Sequence, residues 1–220
     1  MTIAVFTARI GVKTDVLRDP RVVDRDVTYT CASDRDLRSK VWRRLPMAAG
    51  LSPVMAARRF KIRLHESLPQ AKGASPVTCY LWMDAAFRLN ISPHLFETLL
   101  GDYDVLALRH PDRKSLADEA QILVKRGLAP HAILQQQLTT YRQAGYPDAG
   151  LTATGLLVRR VSDRVAAFNT RWFAEFSSRG HTRDQMSFDY AAWATGMKVG
   201  YLDGSYRENP YATWLGANTK

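Results

Sequence analysis

Two acidic residues stand at positions where a carboxylate could bind a ligand or take part in a reaction. Asp84 ends the apolar run of residues 77–83, which has the length of a buried strand. We therefore expect its carboxylate at the carboxyl edge of a sheet, where ligands bind in open α/β folds. A hard divalent cation that bridges to substrate phosphates takes such oxygen ligands. An ordinary turn or helix-cap aspartate explains a single acid equally well, and spacing alone leaves both readings open.

The second acid, Asp184, stands beside Gln185 at the start of a helix predicted over residues 183–193. Backbone N–H groups and the positive end of the helix dipole face whatever binds at such a position. A carboxylate beside an amide can bind sugar hydroxyls or act on a reacting centre, although an aspartate also favours a helix start by itself. Glu175 shares a helix face with Trp172, three residues earlier, and is either a polarised acid among aromatic side chains or an ordinary surface acid.

Two histidines are further candidates. His110 precedes Arg113 in a polar loop and could act as a general base near neutral pH, or it could be a loop histidine with a structural hydrogen bond. His65 follows Lys61 and Arg63, so it could contact a diphosphate, or it could belong to the solvated face of a basic strand.

The basic residues are concentrated in one part of the chain, whose formal net charge is +10 over 220 residues. Between residues 35 and 63 there is one acid, Asp36, among two groups of basic side chains. The first group consists of Arg35, Arg38, Lys40, Arg43 and Arg44, and the second of Arg58, Arg59, Lys61 and Arg63. Such a surface attracts nucleic acid, anionic membrane or nucleotide phosphates, and the alternative is a basic surface without a partner.

Composition and missing motifs exclude several classes of protein. A hydrophobic fraction of 46% excludes a disordered chain, and two cysteines make neither a disulfide framework nor a zinc site. The sequence contains neither an apolar run long enough to span a bilayer nor a signal-peptide pattern, which predicts a cytoplasmic location, or the host cytoplasm for a viral protein. It also lacks the glycine-rich dinucleotide motif, the P-loop, the nucleophile elbow and the zinc-deaminase motif.

Strands and helices alternate in the predicted secondary structure. Apolar, β-branched segments predict strands over residues 2–10, 27–31, 77–83, 151–159 and 198–202. Residues 59–64 alternate basic and apolar side chains, which is typical of a short strand with one solvated face. Helices are expected to begin at Ser115, Pro130 and Ser162. The pattern predicts one α/β domain over residues 1–203, with residues 204–220 as a lid-like tail.

Seven short segments, in order, resemble the glycosyltransferase-like domain of plant mucilage-biosynthesis proteins and of bacterial and viral sugar-modification clusters. They are Cys31-Ala32-Ser33-Asp34, Arg58-Arg59-Phe60-Lys61 with His65, Tyr80-Leu81-Trp82-Met83-Asp84, His110-Pro111-Asp112-Arg113 with Glu119, Gly155-Leu156-Leu157-Val158-Arg159, Trp172-Phe173-Ala174-Glu175 and Arg183-Asp184-Gln185-Met186-Ser187-Phe188. The last segment is the most specific of the seven.

This resemblance implies a single GT-A-type, Rossmann-like domain with a mixed, mostly parallel sheet flanked by helices. It also implies a nucleotide-diphosphate sugar donor, most simply a UDP-hexose, with Mn²⁺ or Mg²⁺. The expected catalytic residues are Asp184, Gln185 and Glu175. The expected donor-binding residues are Asp34, Arg58, Lys61, His65 and Asp84, with Asp84 also as the metal ligand. The expected acceptor-binding residues are His110, Arg113, Trp172 and Arg183.

The sequence departs from the pattern of such enzymes at the metal site. Trp82-Met83-Asp84 supplies one acid where many GT-A enzymes have an Asp-x-Asp pair, and no histidine follows His181. The second metal ligand is therefore not identified.

The strong basic charge favours DNA with hydroxymethylated pyrimidines as the acceptor, slightly over a surface polysaccharide. Double-stranded DNA would then contact Arg38, Lys40, Arg43 and Arg44. A non-catalytic nucleic-acid-binding module on a degenerate transferase fold is the other alternative.

Overall fold

The computed structural model of the chain describes residues 2–11, 17–47, 50–68 and 76–216. The strands of this part are β1 (Ile3–Arg9), β2 (Thr28–Ser33), β3 (Arg43–Pro46), β4 (Cys79–Met83), β5 (Phe87–Leu89), β6 (Val105–Arg109), β7 (Thr152–Arg160), β8 (Val199–Ser205) and β9 (Ala212–Trp214). Its α-helices are α1 (Pro53–Ile62), α2 (His94–Leu100), α3 (Leu116–Lys125), α4 (His131–Gln143), α5 (Asp163–Ser177) and α6 (Gln185–Ala194). A short 3₁₀ helix follows α1 at Leu64–Ser67. Within these ranges no helix is both long and apolar enough to cross a bilayer.

Seven strands form one mixed sheet in the order β3-β2-β1-β4-β7-β6-β8. All neighbouring strands run parallel except β7, which is antiparallel to both β4 and β6. The amino end of β7 therefore lies at the same edge of the sheet as the carboxyl ends of β4, β6 and β8. The predicted mixed, mostly parallel sheet flanked by helices is confirmed.

The central strand β4 shows why the apolar run before Asp84 is continuous. Tyr80 and Trp82 face the side of the sheet covered by α1, α5 and α6, while Leu81 and Met83 face the opposite side, where α2 packs. All four side chains are buried. A strand covered on both faces needs apolar residues at consecutive positions, so the strand predicted at residues 77–83 is observed over Cys79–Met83.

The prediction of a strand over residues 59–64 is wrong, because these residues belong to α1 and to the 3₁₀ helix that follows it. Ser52 begins α1 by accepting a hydrogen bond from the backbone N–H of Met55, and Pro53 occupies its first turn. Ala56 and Phe60, four residues apart, pack into the core from one face of α1. The helical conformation matters for the site, because residues 58 and 61 lie on one face of a helix but would lie on opposite faces of a strand.

Two predicted helix starts depend on local hydrogen bonds that the structure contains. The Ser115 hydroxyl accepts from the backbone N–H of Asp118, and the Ser162 hydroxyl accepts from that of Val165. Each serine therefore satisfies a donor that the first helical turn leaves unpaired.

The predicted C-terminal tail is partly incorporated into strands. β8 extends to Ser205, and β9 pairs antiparallel with β5 in a separate two-stranded sheet. Residues 217–220 of the tail lie outside the described residues. The domain boundary at residue 203 and the lid-like role of the tail stay predictions.

Candidate active site

A pocket of about 350 Å³ opens at the edge of the sheet where β4, β6 and β8 end and β7 begins. Its lining combines charged, polar and aromatic side chains from distant parts of the sequence. The lining residues are Arg58, Lys61, Asp84, Phe87, His110, Arg113, Arg126, Ala153, Thr154, Gly155, Arg183, Asp184, Gln185, Tyr206 and Trp214. This is the edge at which ligands bind in open α/β sheets.

The floor of the pocket is an ion cluster formed by Asp184, Arg58 and Lys61, here called the Asp184 cluster. The Asp184 carboxylate lies 3.1 Å from Arg58 Nε through Oδ1 and 2.7 Å from Lys61 Nζ through Oδ2. The Thr154 hydroxyl accepts a hydrogen bond from Lys61 Nζ at 2.9 Å and donates one to Asp184 Oδ2 at 3.3 Å. Both cations come from one face of α1, so the helix fixes their spacing.

The charges of this cluster are buried. The side chains of Lys61 and Asp184 are 1% and 5% exposed. Burial alone would raise the pKa of Asp184, but the positive charges of Arg58 and Lys61 outweigh it and hold that pKa well below its ordinary range. Asp184 is therefore ionised at neutral pH, and a carboxylate this acidic is a weak proton acceptor.

Two tryptophans beneath the pocket fix the acids in place. The indole N–H of Trp172, which is fully buried, donates to the backbone carbonyl of Asp184 at 2.9 Å. The indole N–H of Trp82 donates to Asp84 Oδ1 at 2.8 Å. Trp172 thus orients the Asp184 backbone from below and is not among the pocket-lining residues.

Gly155 allows β7 to approach Asp84 closely. The backbone N–H of Asp84 donates to the Gly155 carbonyl at 2.8 Å. A Cβ atom at position 155 would lie 2.9 Å from Phe87 Cε2 and 3.2 Å from Asp84 Oδ2. A glycine inside an otherwise apolar strand is the sequence signal of such a close approach.

Gln185 opens α6 and points its side chain toward β7. Its amide nitrogen donates to the Thr152 carbonyl at 2.8 Å. Asp184 stands at the cap position of the same helix but makes no capping hydrogen bond, because its carboxylate is engaged by α1. The alternative explanation of Asp184 as a simple helix cap is therefore not what the structure shows.

A second ion cluster forms one wall of the pocket around Glu119, which is 1% exposed on α3. Its carboxylate pairs with Arg113 and lies 3.5 Å from Arg183 Nη2. His110 Nδ1 accepts from the backbone N–H groups of Asp112 and Arg113, each at 3.1 Å. Burial, reinforced by the Arg113 charge, lowers the pKa of His110 to about 4, so this histidine is neutral at pH 7.

The donor set for a divalent cation is small. Asp84, whose side chain is 38% exposed, is the acid of the pocket that is open to solvent, and Trp82 already donates to its Oδ1. Both oxygens of Asp184 are engaged by Arg58 and Lys61. No three His, Cys, Asp or Glu side chains of the described residues are grouped as metal ligands. These residues fit a bound anion better than a dedicated metal site.

Several predicted site residues lie away from the pocket. Asp34, exposed at the end of β2, accepts from the Gly11 backbone N–H at 2.9 Å. His65 Nδ1 lies 3.2 Å from the Asn169 side-chain nitrogen behind α1. Glu175 is paired with Arg171 and Arg179 at 2.9 and 2.5 Å.

The residues predicted to bind DNA, here called the β3 basic cluster, also lie apart from the pocket. All four side chains are exposed, two in β3 and two in the segment before it. They are Arg38, Lys40, Arg43 and Arg44. β3 is the edge strand at the end of the sheet opposite β8. One exposed acid, Asp36, pairs with Arg44 at 3.3 Å.

Sequence reasoning missed part of the pocket wall. Phe87 from β5, Trp214 from β9 and Tyr206 just after β8 form an aromatic side, and Arg126 extends from the end of α3. The rings of Tyr206 and Trp214 meet edge-to-face with centroids 5.5 Å apart. No local pattern marks Phe87 and Trp214, because the pairing of β5 with β9 brings them together at the pocket.

The solved structures similar to this chain include glycosyltransferases and also the bifunctional IspDF from Campylobacter jejuni. The WbbM bifunctional glycosyltransferase, in its apo form, matches with a TM-score of 0.50 and 11% identity, over 91% of this chain and 38% of that one. Apo mouse xyloside xylosyltransferase 1 matches with a TM-score of 0.49 and 10% identity, over 92% of this chain and 84% of that one. At such identities the likeness concerns the fold, and the predicted GT-A-type fold is confirmed. No curated protein matches the chain.

A family model gives the more specific result. The model of the TOD1/MUCI70 glycosyltransferase-like domain matches residues 59–201, which include Asp84, the whole of β7 and Asp184. Family and fold together support sugar transfer in general. Because the match covers more than half of the chain, this protein belongs to the TOD1/MUCI70 glycosyltransferase-like domain family.

Proposed function

We propose that this protein transfers a sugar from a nucleotide-diphosphate sugar to an acceptor hydroxyl. The observation that carries the proposal is the Asp184 cluster, an ionised, buried carboxylate with fixed cations on the floor of a pocket at the ligand-binding edge of the sheet. Membership of a glycosyltransferase-like family supports the reaction class. A UDP-hexose is the donor we test first.

The proposed reaction uses the pocket charges as follows. The bond between the anomeric carbon and the diphosphate oxygen breaks, and its electron pair passes to the diphosphate. The acceptor oxygen bonds to the anomeric carbon and releases its proton to the leaving diphosphate or to water. Cations placed in advance stabilise the charge that develops on the diphosphate. Asp184 and Gln185 are proposed to face the transferred sugar, with Asp184 stabilising positive charge at the anomeric carbon rather than accepting a proton.

For the acceptor, we propose hydroxymethylated pyrimidine in duplex DNA, with a surface polysaccharide as the alternative. The net charge of +10 and the exposed β3 basic cluster support a polyanion. The aromatic side of the pocket, formed by Phe87, Tyr206 and Trp214, suits a base extracted from the stack. A sugar ring could also stack there, so the acceptor is decided by experiment. Salt-sensitive binding to hydroxymethylated duplex DNA is expected, and binding of neutral glycan with indifference to DNA would overturn this choice.

Two further expectations are not required by the proposed reaction. The Mn²⁺ or Mg²⁺ ion that the resemblance implies at Asp84 is not part of the proposed reaction, since the described residues supply one open carboxylate. A cytoplasmic location stays a prediction.

The reaction is tested by incubating purified protein with a panel of nucleotide sugars and measuring hydrolysis or transfer. We expect Asp184→Asn to lower turnover at least about 100-fold, because it removes a charge placed at the reacting centre. Asp84→Asn, at a partly exposed position, tests the same pocket with less risk to folding. Asp102→Asn, at an exposed turn that does not line the pocket, is the control and should keep wild-type turnover.

A non-catalytic nucleic-acid-binding module gives a different outcome. Such a protein would bind DNA without turning over any nucleotide sugar, and neither aspartate substitution would change its behaviour. Absence of donor binding and turnover across the panel, with and without Mn²⁺, would refute the transferase.

A further inference from the structure

The ammonium group of Lys61 lies within 4 Å of a carboxylate oxygen of both pocket acids. Its Nζ is 2.7 Å from Asp184 Oδ2 and 3.9 Å from Asp84 Oδ1. A divalent ion held by both acids would have to displace this ammonium or approach it closely, and like charges repel at that distance.

Lys61 is held in place from several directions. Its Nζ lies 5.9 Å from the ring centroids of both Trp82 and Trp172 and donates to Thr154 Oγ1. Its backbone carbonyl accepts a 2.7 Å hydrogen bond from Arg159 Nη2, and Arg159 is itself fully buried. A close-packed interior leaves such a side chain little room to move aside for an ion.

The net charge of the residues around the pocket also balances the charge of a diphosphate without a metal ion. Arg58, Lys61, Arg113, Arg126 and Arg183 supply five positive charges, and Asp84, Asp184 and the adjoining Glu119 supply three negative ones. With His110 neutral, the net charge is +2. The diphosphate bridge of a nucleotide sugar carries about two negative charges, so the two charges balance. A divalent ion would leave an excess of positive charge.

We propose that the fixed cations of this pocket, with Lys61 between Asp84 and Asp184, take the place of a divalent metal ion. The protein then binds the diphosphate of its donor without metal. That this diphosphate belongs to a sugar donor rests on the proposed function, whereas the binding of a diphosphate by these residues does not depend on it.

Inorganic pyrophosphate and Mn²⁺ are the two probes. Isothermal titration with pyrophosphate in the presence of EDTA is expected to show binding to the wild-type protein. Electron paramagnetic resonance is expected to show no tight Mn²⁺ site. Lys61→Met should create such a site, because it removes the ammonium from between two carboxylates.

Arg126→Ala keeps the proposal testable if Lys61→Met does not fold, because Arg126 is an exposed residue at the end of α3. It should weaken pyrophosphate binding about 3- to 10-fold. Lys125→Ala removes the same charge from the neighbouring, exposed position that does not line the pocket, and it should bind pyrophosphate as the wild type does.

Two results overturn the inference. One is a Mn²⁺ site in the wild-type protein that Asp84→Asn abolishes, and the other is failure to bind pyrophosphate in EDTA. Failure of the proposed function is distinct, since it appears as pyrophosphate binding without turnover of any nucleotide sugar. Turnover that stops in EDTA and returns with Mn²⁺ would instead uphold the transferase and refute metal independence.

Discussion

Two neighbouring groups of basic residues have opposite surroundings in the folded protein. The β3 basic cluster is exposed at the edge of the sheet, and Asp36 is its acidic partner among the described residues. In the second group, Arg58 and Lys61 turn inward to Asp184, while Arg59 and Arg63 pair with Glu66 at the surface. A charge in water costs little and contributes little to stability, whereas a buried charge depends on its partner. The first group is therefore suited to long-range attraction and the second to a preorganised site.

The largest effect is expected from breaking the buried pair. Asp184→Asn should lower the free energy of unfolding by about 3–5 kcal/mol, because it leaves the buried ammonium of Lys61 without the carboxylate 2.7 Å away. Lys61→Met should lower it by less, because Arg58 remains 3.1 Å from the Asp184 carboxylate. Urea denaturation measures the change. The double variant should lose less than the sum of the two single variants. Strict additivity would show that the two charges do not stabilise each other.

A smaller loss is expected where β7 approaches Asp84. Gly155→Ala places a Cβ 2.9 Å from Phe87 Cε2 and should cost about 1–3 kcal/mol of unfolding free energy. Adding Phe87→Leu should recover part of that loss, because it gives the new methyl group room. If the second substitution recovers no stability, the close contact with Phe87 is not the cause.

The third prediction concerns pH and two buried histidines. Burial, reinforced by neighbouring arginines, lowers the pKa of both His110 and His181 to about 4, below the ordinary value of roughly 6.5. Between those values the unfolded chain binds protons that the folded protein does not. The stability that comes from keeping these two histidines neutral in the fold is therefore complete above about pH 6.5. It is lost progressively as the pH falls toward 4.

Denaturation midpoints measured across that range test the pH prediction. His181→Gln should flatten the slope, and His131→Gln, at an exposed position of α4, should leave it unchanged. Equal slopes in the wild type and in His181→Gln would contradict the assignment. The depressed pKa of Asp184 predicts a further loss only at lower pH, below the ordinary aspartate range.

The smallest effect on stability is expected at the exposed cluster. Replacing Arg38, Lys40, Arg43 and Arg44 by Gln should change the free energy of unfolding by no more than about 0.5 kcal/mol per site. If DNA is the partner, the same variant should bind duplex DNA more weakly, with a shallower dependence on salt. Each lost phosphate contact lowers the salt slope by about 0.9. An unchanged salt slope would remove this cluster from the proposed DNA surface.

Features that depend on neighbouring residues could be predicted from the sequence. The caps at Ser115 and Ser162 and the buried strand before Asp84 are local patterns, and all three are present. The strand predicted at residues 59–64 failed because a short alternation of basic and apolar residues resembles a strand, while the helix signal at Ser52 and Pro53 lies outside it.

The sequence by itself determined the mixed α/β architecture, and its ordered motifs brought Asp84, Asp184, Arg58 and Lys61 forward as a set before any distance was known. Local periodicity, caps and motif order are properties of short segments, so one chain suffices to read them. Only the tertiary structure decided that Lys61 lies between the two acids, that Glu175 and His65 lie away from the pocket, and that Phe87, Tyr206 and Trp214 belong to its wall. The reason is physical: burial and electrostatic partnership depend on distances between segments far apart in sequence, and these distances follow from how the sheet and helices pack.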